Sequence, residues 1–157
     1  MRCRVKIENR IPDKKTTIAS KDQTYLSPDA YLEGEKSSPI KHEYIQGEVC
    51  AMAGACDAHV TIAGNLFALL RSHVRGSGCR VYMSDMKARI ETMDIFYYPD
   101  VMVTCDESDR QFDYFKRYPC LIVEVLSDST ESRDRGDKFA DYRELSSLQE
   151  YVLISQS

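Results

Sequence analysis

The 157-residue sequence lacks several features that mark large classes of protein. No apolar run approaches the roughly 18 residues that a membrane-spanning helix needs. The first ten residues carry charges but no hydrophobic stretch of the kind found in signal peptides. Seven glycines and five prolines exclude a collagen-like or linker-like chain. We therefore expect a cytoplasmic protein that does not associate with membranes.

An excess of basic residues is also lacking, since 21 lysines and arginines stand against 25 aspartates and glutamates, a net charge of −4. Six of the basic residues fall within residues 1–20, so the rest of the chain is distinctly acidic. Such a charge argues against coating nucleic acid through bulk electrostatics. It does not exclude a site where carboxylates hold a cation that then meets phosphate.

Six cysteines are present, but no two have the C-x-x-C spacing of a zinc or redox site. Without a secretion signal, we expect reduced thiols that are mostly buried. The length is that of one domain. We assign residues 1–20 to an N-terminal extension and residues 21–157 to the folded domain.

Hydrophobic periodicity and turn residues predict an alternation of helices and strands. The predicted elements are a helix beginning at Pro28 with Ser27 as its N-cap, a β-hairpin over 42–52 that turns at Gly47, a helix after the N-cap Asp57, strands over 79–90, 96–105 and 118–127, a helix over 132–145, and a strand over 151–154. This order predicts an α/β fold, in which helices flank a mixed sheet that follows an N-terminal hairpin.

Two carboxylates interrupt apolar strands. Asp100 precedes Val-Met-Val, and Glu124 lies within Leu-Ile-Val-Glu-Val-Leu. A buried carboxylate is costly without a partner, so such a position favours a nearby cation, either a basic side chain or a metal ion. The alternative is that both acids lie at strand ends and face solvent or form ion pairs.

A basic group follows on the next helix, where Asp134 and Lys138 share one face at positions i and i+4. An ordinary exposed ion pair is the alternative reading of this spacing. We interpret the neighbouring Arg133 as a surface charge, with a role in binding phosphate as the alternative. For His59, near a helix start, a structural role is favoured over a ligand.

Several segments, in their order along the chain, resemble the Uma family of predicted restriction endonucleases within the PD-(D/E)xK nuclease superfamily. These segments are EYIQGEV at 43–49, MAGA at 52–55 followed by His59, YPDV at 98–101, VEVLS at 123–127, and Asp134-Arg135 followed by Lys138 and Tyr142. The resemblance covers most of the chain and implies a restriction-endonuclease-like fold.

The same resemblance implies the site residues. Asp100 matches the aspartate of the family's Pro-Asp motif, and Glu124 matches its second acid. The superfamily places a lysine two residues after that acid, where this chain has Leu126. Lys138 resembles a lysine that has migrated to the following helix, and Glu43 resembles the N-terminal acidic residue of many relatives.

The expected function is metal-dependent endonucleolytic hydrolysis of DNA. Asp100, Glu124 and the carbonyl of Val125 would bind Mg²⁺, or Mn²⁺ in its place, because these ions prefer oxygen ligands. Lys138 would orient or deprotonate the attacking water, or stabilise negative charge in the transition state. The alternative function is a non-catalytic oligomeric interaction module or nucleic-acid-binding module on the same scaffold.

The last predicted strand suggests an assembly as well. Relatives are expected to continue past this strand with an antiparallel hairpin, whereas this sequence stops at Ser157. An exposed strand edge favours association with another chain. We therefore expect a homo-oligomer.

Overall fold

The structure is a computed structural model that describes residues 25–156, so the predicted extension over residues 1–20 lies outside the described part. Within residues 25–156 the chain forms four α-helices and nine β-strands. The helices are α1 (Pro28–Glu35), α2 (Asp57–His73), α3 (Glu131–Arg135) and α4 (Asp137–Tyr142). The strands are β1 (His42–Ile45), β2 (Glu48–Ala51), β3 (Arg80–Met83), β4 (Lys87–Ile90), β5 (Ile95–Tyr97), β6 (Val101–Thr104), β7 (Phe115–Lys116), β8 (Pro119–Val125) and β9 (Glu150–Ile154).

The described strands form two mixed sheets. One has the order β2-β1-β5-β4-β7, and the other has the order β3-β6-β8-β9. The pairs β4–β7 and β8–β9 are parallel, and the other pairs are antiparallel. The mixed α/β class is therefore confirmed, with its strands divided between two sheets. No described helix has the length and hydrophobicity to span a bilayer.

The predicted N-terminal hairpin is confirmed as β1 and β2. Gln46 and Gly47 join the strands, with φ angles of 50° and 90°. Positive φ at both central positions is the mark of a type I′ turn, whose twist matches that of the strands it joins. The turn returns β2 beside β1 and so leaves Glu43, in the middle of β1, facing the interior, where it is 2% exposed.

The prediction of single strands over 79–90 and 96–105 is wrong, because each segment breaks and changes sheet. The first breaks at Ser84, which has a φ of 54° and leaves the extended conformation. The second breaks around Pro99, which has no backbone N–H to contribute to a ladder. This change of sheet places Asp100 immediately before β6.

The predicted helix over 132–145 also divides, into α3 and α4, at Gly136. Gly136 has a φ of −108° and a ψ of −94°, which are not helical values. Asp57 is likewise the first residue of α2 rather than its N-cap, a position that Cys56 occupies without a side-chain hydrogen bond. The break at Gly136 reorients the chain so that Lys138 and Tyr142 are buried on α4.

The alternation of side chains along β8 decides what each face of the four-stranded sheet contacts. Val123 and Val125 belong to a core cluster with Ala63 of α2. Ile122 belongs to the other main cluster, with Tyr142 of α4 and residues of both sheets. Glu124 lies on the same face as Ile122, so its carboxylate points toward α4.

The expectation of reduced thiols is wrong for one pair, because Cys79 and Cys105 form a disulfide. Their neighbours Arg80 and Thr104 are paired between β3 and β6, so the two cysteines face each other across the strands, with Cα atoms 4.0 Å apart. Among the described cysteines, Cys50, Cys56 and Cys120 are not in disulfides.

Candidate active site

Asp100 is fixed by contacts from two other elements. Its Oδ2 accepts a hydrogen bond of 2.7 Å from the backbone N–H of Val125, and its Oδ1 lies 2.9 Å from Nε2 of His59 in the first turn of α2. The backbone N–H of Asp100 in turn points at Oε2 of Glu124, at 3.4 Å. The two acids therefore lie side by side, with Glu124 on β8 and Asp100 immediately before the adjacent strand β6.

Glu124 is buried, and its carboxylate contacts two residues of α4. Nζ of Lys138 and the hydroxyl of Tyr142 each lie 3.1 Å from its Oε1. The pKa of Glu124 is raised to about 7, because burial and the negative charges of Asp100 and Asp134 together outweigh the lowering effect of Lys138. The carboxylate is thus held in a site that already contains more negative charge than its neighbours neutralise.

Lys138 lies among three carboxylates. Its Nζ is 3.1 Å from Glu124, 3.2 Å from Glu43 and 3.5 Å from Asp134. Burial alone would lower the pKa of Lys138, but these three negative charges outweigh that effect and raise it above its usual range. The ammonium is therefore protonated at neutral pH, and the pairing with Asp134 is buried, so the alternative of an ordinary exposed pair is wrong.

Glu43 completes the cluster from β1. Its Oε2 accepts a hydrogen bond from Nη1 of Arg133, while its buried Oε1 has an ion-pair contact with Lys138 but no hydrogen bond. Nη2 of Arg133 is also buried without a hydrogen-bond partner. The favoured reading of Arg133 as a surface charge is wrong, because its side chain is one-third exposed and inserted into the site.

The donors of this cluster fit a divalent cation in chemistry and charge. Four carboxylates meet two cationic side chains, which leaves two negative charges when all four acids are ionised. The acids are Glu43, Asp100, Glu124 and Asp134, and the cations are Lys138 and Arg133. Carboxylate oxygens are ligands that Mg²⁺ prefers. Within residues 25–156, no three His, Cys, Asp or Glu side chains form a ready coordination shell. An ion here would take few protein oxygens and keep several waters, as Mg²⁺ does.

Two residues at the site are not predicted from sequence. His59, for which the pattern favours a structural role, contacts Asp100, and Tyr142 contacts Glu124. Both signals are present in the sequence: His59 belongs to the segments that carry the family resemblance, and Tyr142 lies one helical turn after Lys138. Val125 contributes its backbone N–H to Asp100, while the ligand role of its carbonyl stays a prediction.

Comparison with known proteins gives the family. Residues 25–157 match the sequence model of the Uma2 family, which is described as "Putative restriction endonuclease". The chain belongs to the Uma2 family. Its relatives include the uncharacterized protein slr1290 of Synechocystis sp. (strain ATCC 27184 / PCC 6803 / Kazusa), which is 44% identical over 132 residues and matches 84% of this chain and 70% of the relative.

A second uncharacterized Synechocystis protein, sll1609, is 37% identical over 134 residues, covering 83% of this chain and 75% of that protein. Among solved structures, a putative nuclease belonging to DUF820 from Anabaena variabilis ATCC 29413 aligns with a TM-score of 0.62 at 17% identity. The alignment covers 79% of this chain and 73% of that one, and it supports the restriction-endonuclease-like fold of this Uma2 protein. Family membership supports a nuclease-like function.

Proposed function

We propose that this Uma2 protein is an endonuclease that hydrolyses phosphodiester bonds in DNA with the help of Mg²⁺ or Mn²⁺. The observation that carries the proposal is the meeting of Asp100, Glu124 and Glu43 around Lys138, from two sheets and a helix that lie far apart in sequence. Phosphodiester hydrolysis needs this combination of carboxylates for a cation and a positive charge near the reacting phosphate.

Asp100 and Glu124 are the residues that would hold the ion, with the Val125 carbonyl as a further oxygen. When bound, Mg²⁺ would lower the pKa of a coordinated water and would offer positive charge to a phosphate oxygen. His59 would hold the Asp100 carboxylate in one orientation through its Nε2 contact of 2.9 Å. Outer contacts of this kind set the position and basicity of ligand groups.

The protonated state of Lys138 favours two of the roles that the sequence leaves open over the third. An ammonium paired with three carboxylates has no free electron pair with which to accept a proton from water. We therefore assign Lys138 to orienting the water and to stabilising negative charge on the phosphate. Arg133 adds a second cation beside the carboxylates, because its guanidinium pairs with Glu43 while one-third of its side chain remains exposed.

The test is cleavage of plasmid DNA by the full chain with Mg²⁺ or Mn²⁺. We expect Asp100→Asn and Glu124→Gln to lower the rate by more than about 100-fold, because each removes a charged group on which transition-state stabilisation depends. Asp113→Asn, the same change at an exposed aspartate, is the matched control. Cleavage at the wild-type rate in both site variants would overturn the proposal.

A non-catalytic module is the second candidate, favoured by one observation. Lys138 already neutralises part of the carboxylate cluster, and no ready coordination shell exists within residues 25–156. Calorimetric titration separates the two functions. If the wild-type chain releases or absorbs heat on binding Mn²⁺ and Glu124→Gln does not, the nuclease function is supported. If the wild-type chain gives no heat at millimolar Mn²⁺, the non-catalytic module is supported.

Assembly and location are part of the proposal. In the described range β9 lies at the edge of its sheet, which favours a homo-oligomer formed through that edge. Light scattering at micromolar concentration tests this assembly.

We also propose action on DNA in the cytoplasm. The Cys79–Cys105 disulfide argues against this location, because disulfides are rare in cytosolic proteins.

A further inference from the structure

A cavity of about 310 Å³ lies outside the carboxylate cluster, between the end of α1 and the beginning of β4. We call it the lysine cavity. Three of the residues that line it are lysines. Its charged and aromatic lining includes Glu35, Lys36, Lys41, Asp85, Lys87 and Tyr98. None of these side chains has a role in the proposed hydrolysis.

Lys87 is the unusual member of this group. Its side chain is 5% exposed, yet within residues 25–156 its ammonium makes no hydrogen bond and no ion pair. Its Nζ lies 4.8 Å from the centre of the Tyr98 ring. A buried lysine normally has an acidic partner, because an unpaired charge in a protein interior is unfavourable. An ammonium that lines a cavity without an acidic partner is therefore suited to an anion from outside the chain.

The acids near the cavity are already engaged elsewhere. Glu35 accepts hydrogen bonds from the Tyr98 hydroxyl at 2.8 Å and from the backbone N–H of His42 at 3.2 Å, and its Oε1 lies 2.7 Å from Nδ1 of His42. Asp85 forms an ion pair with Lys41. Burial lowers the pKa of Lys87 and the charge of Lys41 acts in the same direction, while Glu35 and Asp85 oppose them only in part. Of the three lysines in the cavity wall, Lys87 is thus the one that has no ion pair among residues 25–156.

The cavity adjoins the candidate active site. Tyr98 is two residues before Asp100, and Nζ of Lys41 donates to the carbonyl of Ser84, whose N–H donates to the carbonyl of Asp100. Both relationships connect the cavity wall to the segment that carries Asp100.

We propose that the lysine cavity is an anion subsite in which the Lys87 ammonium binds a phosphate of the nucleic-acid strand, away from the phosphate that is cleaved. The assignment of that phosphate to a cleaved strand rests on the proposed function, whereas phosphate binding at Lys87 does not. Lys87 is a positioning residue, because it lies outside the carboxylate cluster and holds the strand rather than the reacting atoms.

The first experiment measures phosphate binding without any metal. The full chain carrying Asp100→Asn, which removes cleavage, is titrated with inorganic phosphate while the side-chain NMR signals of lysine are followed. We expect the Lys87 signal to shift and saturate, and the affinity to fall at least about tenfold in Lys87→Gln but within threefold in Lys87→Arg. Lys36→Gln is the control, since this lysine is exposed at the rim and paired with Glu33.

Two results would overturn the subsite. One is a Lys87 signal that does not respond to phosphate in the otherwise wild-type cavity, a measurement that does not depend on whether Lys87→Gln folds. The other is an equal loss of affinity in Lys36→Gln and Lys87→Gln, which indicates a general charge effect instead of a site. Circular dichroism of each variant separates a lost site from a lost fold.

The second experiment asks whether the phosphate belongs to a nucleic-acid strand. Oligonucleotides are prepared with a single neutral methylphosphonate linkage at successive positions. We expect the loss of affinity caused by Lys87→Gln to vanish only when the neutral linkage lies at one position near the cleaved bond. If Lys87 binds inorganic phosphate but Lys87→Gln binds every oligonucleotide as tightly as the wild type, the ligand is free phosphate. That result overturns the strand assignment.

Kinetics distinguish this inference from the proposed function. If the chain cleaves DNA, Lys87→Gln should raise KM about tenfold and change kcat less than threefold, because the residue does not touch the reacting phosphate. If the chain does not cleave DNA but phosphate still binds at Lys87, the nuclease proposal fails and the anion subsite stands. If Lys87→Gln cleaves DNA with an unchanged KM and binds phosphate as the wild type does, the nuclease proposal stands. The anion subsite is then rejected.

Discussion

Nζ of Lys138 lies 3.1 Å from Oε1 of Glu124, although the two residues are fourteen positions apart and belong to a helix and a strand. Neither side chain is more than 8% exposed. The helix break at Gly136 makes this contact possible, because α4 begins directly after it and presents Lys138 and Tyr142 to the strand. A lysine on α4 thereby reaches the carboxylate that a lysine at position 126 would serve in the superfamily pattern.

The first prediction concerns the charge of Lys138. Replacing Lys138 by Met leaves Glu43, Glu124 and Asp134 buried without their shared cation, and breaking a buried pair in this way costs about 3–5 kcal/mol. We expect a loss of that size in the free energy of unfolding, measured with urea, and a fall in DNA cleavage of more than about 100-fold.

The control for this prediction is Lys36→Met, which removes the same charge from an exposed pair with Glu33. The double variant Lys138→Met with Glu124→Gln should recover part of the stability but none of the activity, because it removes one of the stranded charges. A single variant as stable as the wild type would show that the three carboxylates do not depend on Lys138.

Much of this arrangement is predictable from sequence. The acids in apolar strands locate Asp100 and Glu124, and helical spacing relates Lys138 to Asp134. The breaks at Ser84 and Pro99 are harder to foresee, since each lies within a run of strand-like residues and depends on which sheet the chain joins next. A break of this kind follows from long-range packing, which local residue preference does not determine.

Contacts between distant segments are likewise absent from any local pattern. The approach of His59 to Asp100 joins the start of α2 to the start of β6, forty-one positions away. The pairing of Cys79 with Cys105 depends on the register between β3 and β6. Both require the fold to be known before the residues can be related.

The second prediction concerns the contact between His59 and Asp100. Replacing His59 by Ala frees the Asp100 carboxylate to rotate, and losing an outer contact of this kind typically lowers metal affinity or activity by about 10–100-fold. We expect a decrease in that range in both Mn²⁺ affinity and cleavage rate. His59→Gln should recover part of it, because the amide can offer a nitrogen to Oδ1.

The matched control is His73→Ala in the last turn of the same helix, where the side chain is exposed. Unchanged Mn²⁺ affinity and cleavage in His59→Ala would count against an orienting role. Equal losses in His59→Ala and His73→Ala would point to destabilisation of α2 instead.

The third prediction is a pH dependence that arises from Asp94. Burial alone would raise the pKa of this carboxyl, but hydrogen bonds from Tyr25, Arg89 and Tyr44 outweigh burial and lower it below its ordinary 3.8. A lowered pKa stabilises the fold above about pH 4, and that stabilisation is lost as the pH falls through the folded value.

Asp94→Asn tests this dependence cleanly, because asparagine tolerates the φ of 55° at this position. We expect urea unfolding at pH 7 to show a loss of about 1–3 kcal/mol. The difference from wild type should shrink as the pH is lowered toward 3. A difference that stays constant between pH 7 and pH 3, or equals that of the exposed Asp113→Asn, would contradict the assignment.

The fourth prediction concerns the Cys79–Cys105 disulfide, which closes a loop with a sequence separation of 26 residues. Closing a loop of this length restricts the unfolded chain and stabilises the fold by up to about 3.5 kcal/mol. We expect dithiothreitol, or Cys79→Ser, to lower the free energy of unfolding by up to that amount. This loss is an upper bound, because the backbone pairing of β3 with β6 holds the two strands together even without the disulfide.

Alkylation of the denatured, unreduced protein followed by peptide mass analysis checks the pairing directly. Cys50, Cys56 and Cys120 should be alkylated, while the peptides containing Cys79 and Cys105 should remain joined. Cys120 is the informative neighbour, since its sulfur lies 3.8 Å from that of Cys105 and 3.4 Å from the carbonyl of Val103. Burial raises the pKa of the Cys120 thiol, which keeps it protonated and slow to attack the bond. A map in which Cys120 is joined to Cys105 would show that this thiol has exchanged into the disulfide, and full alkylation of Cys79 and Cys105 would show that the bond does not form.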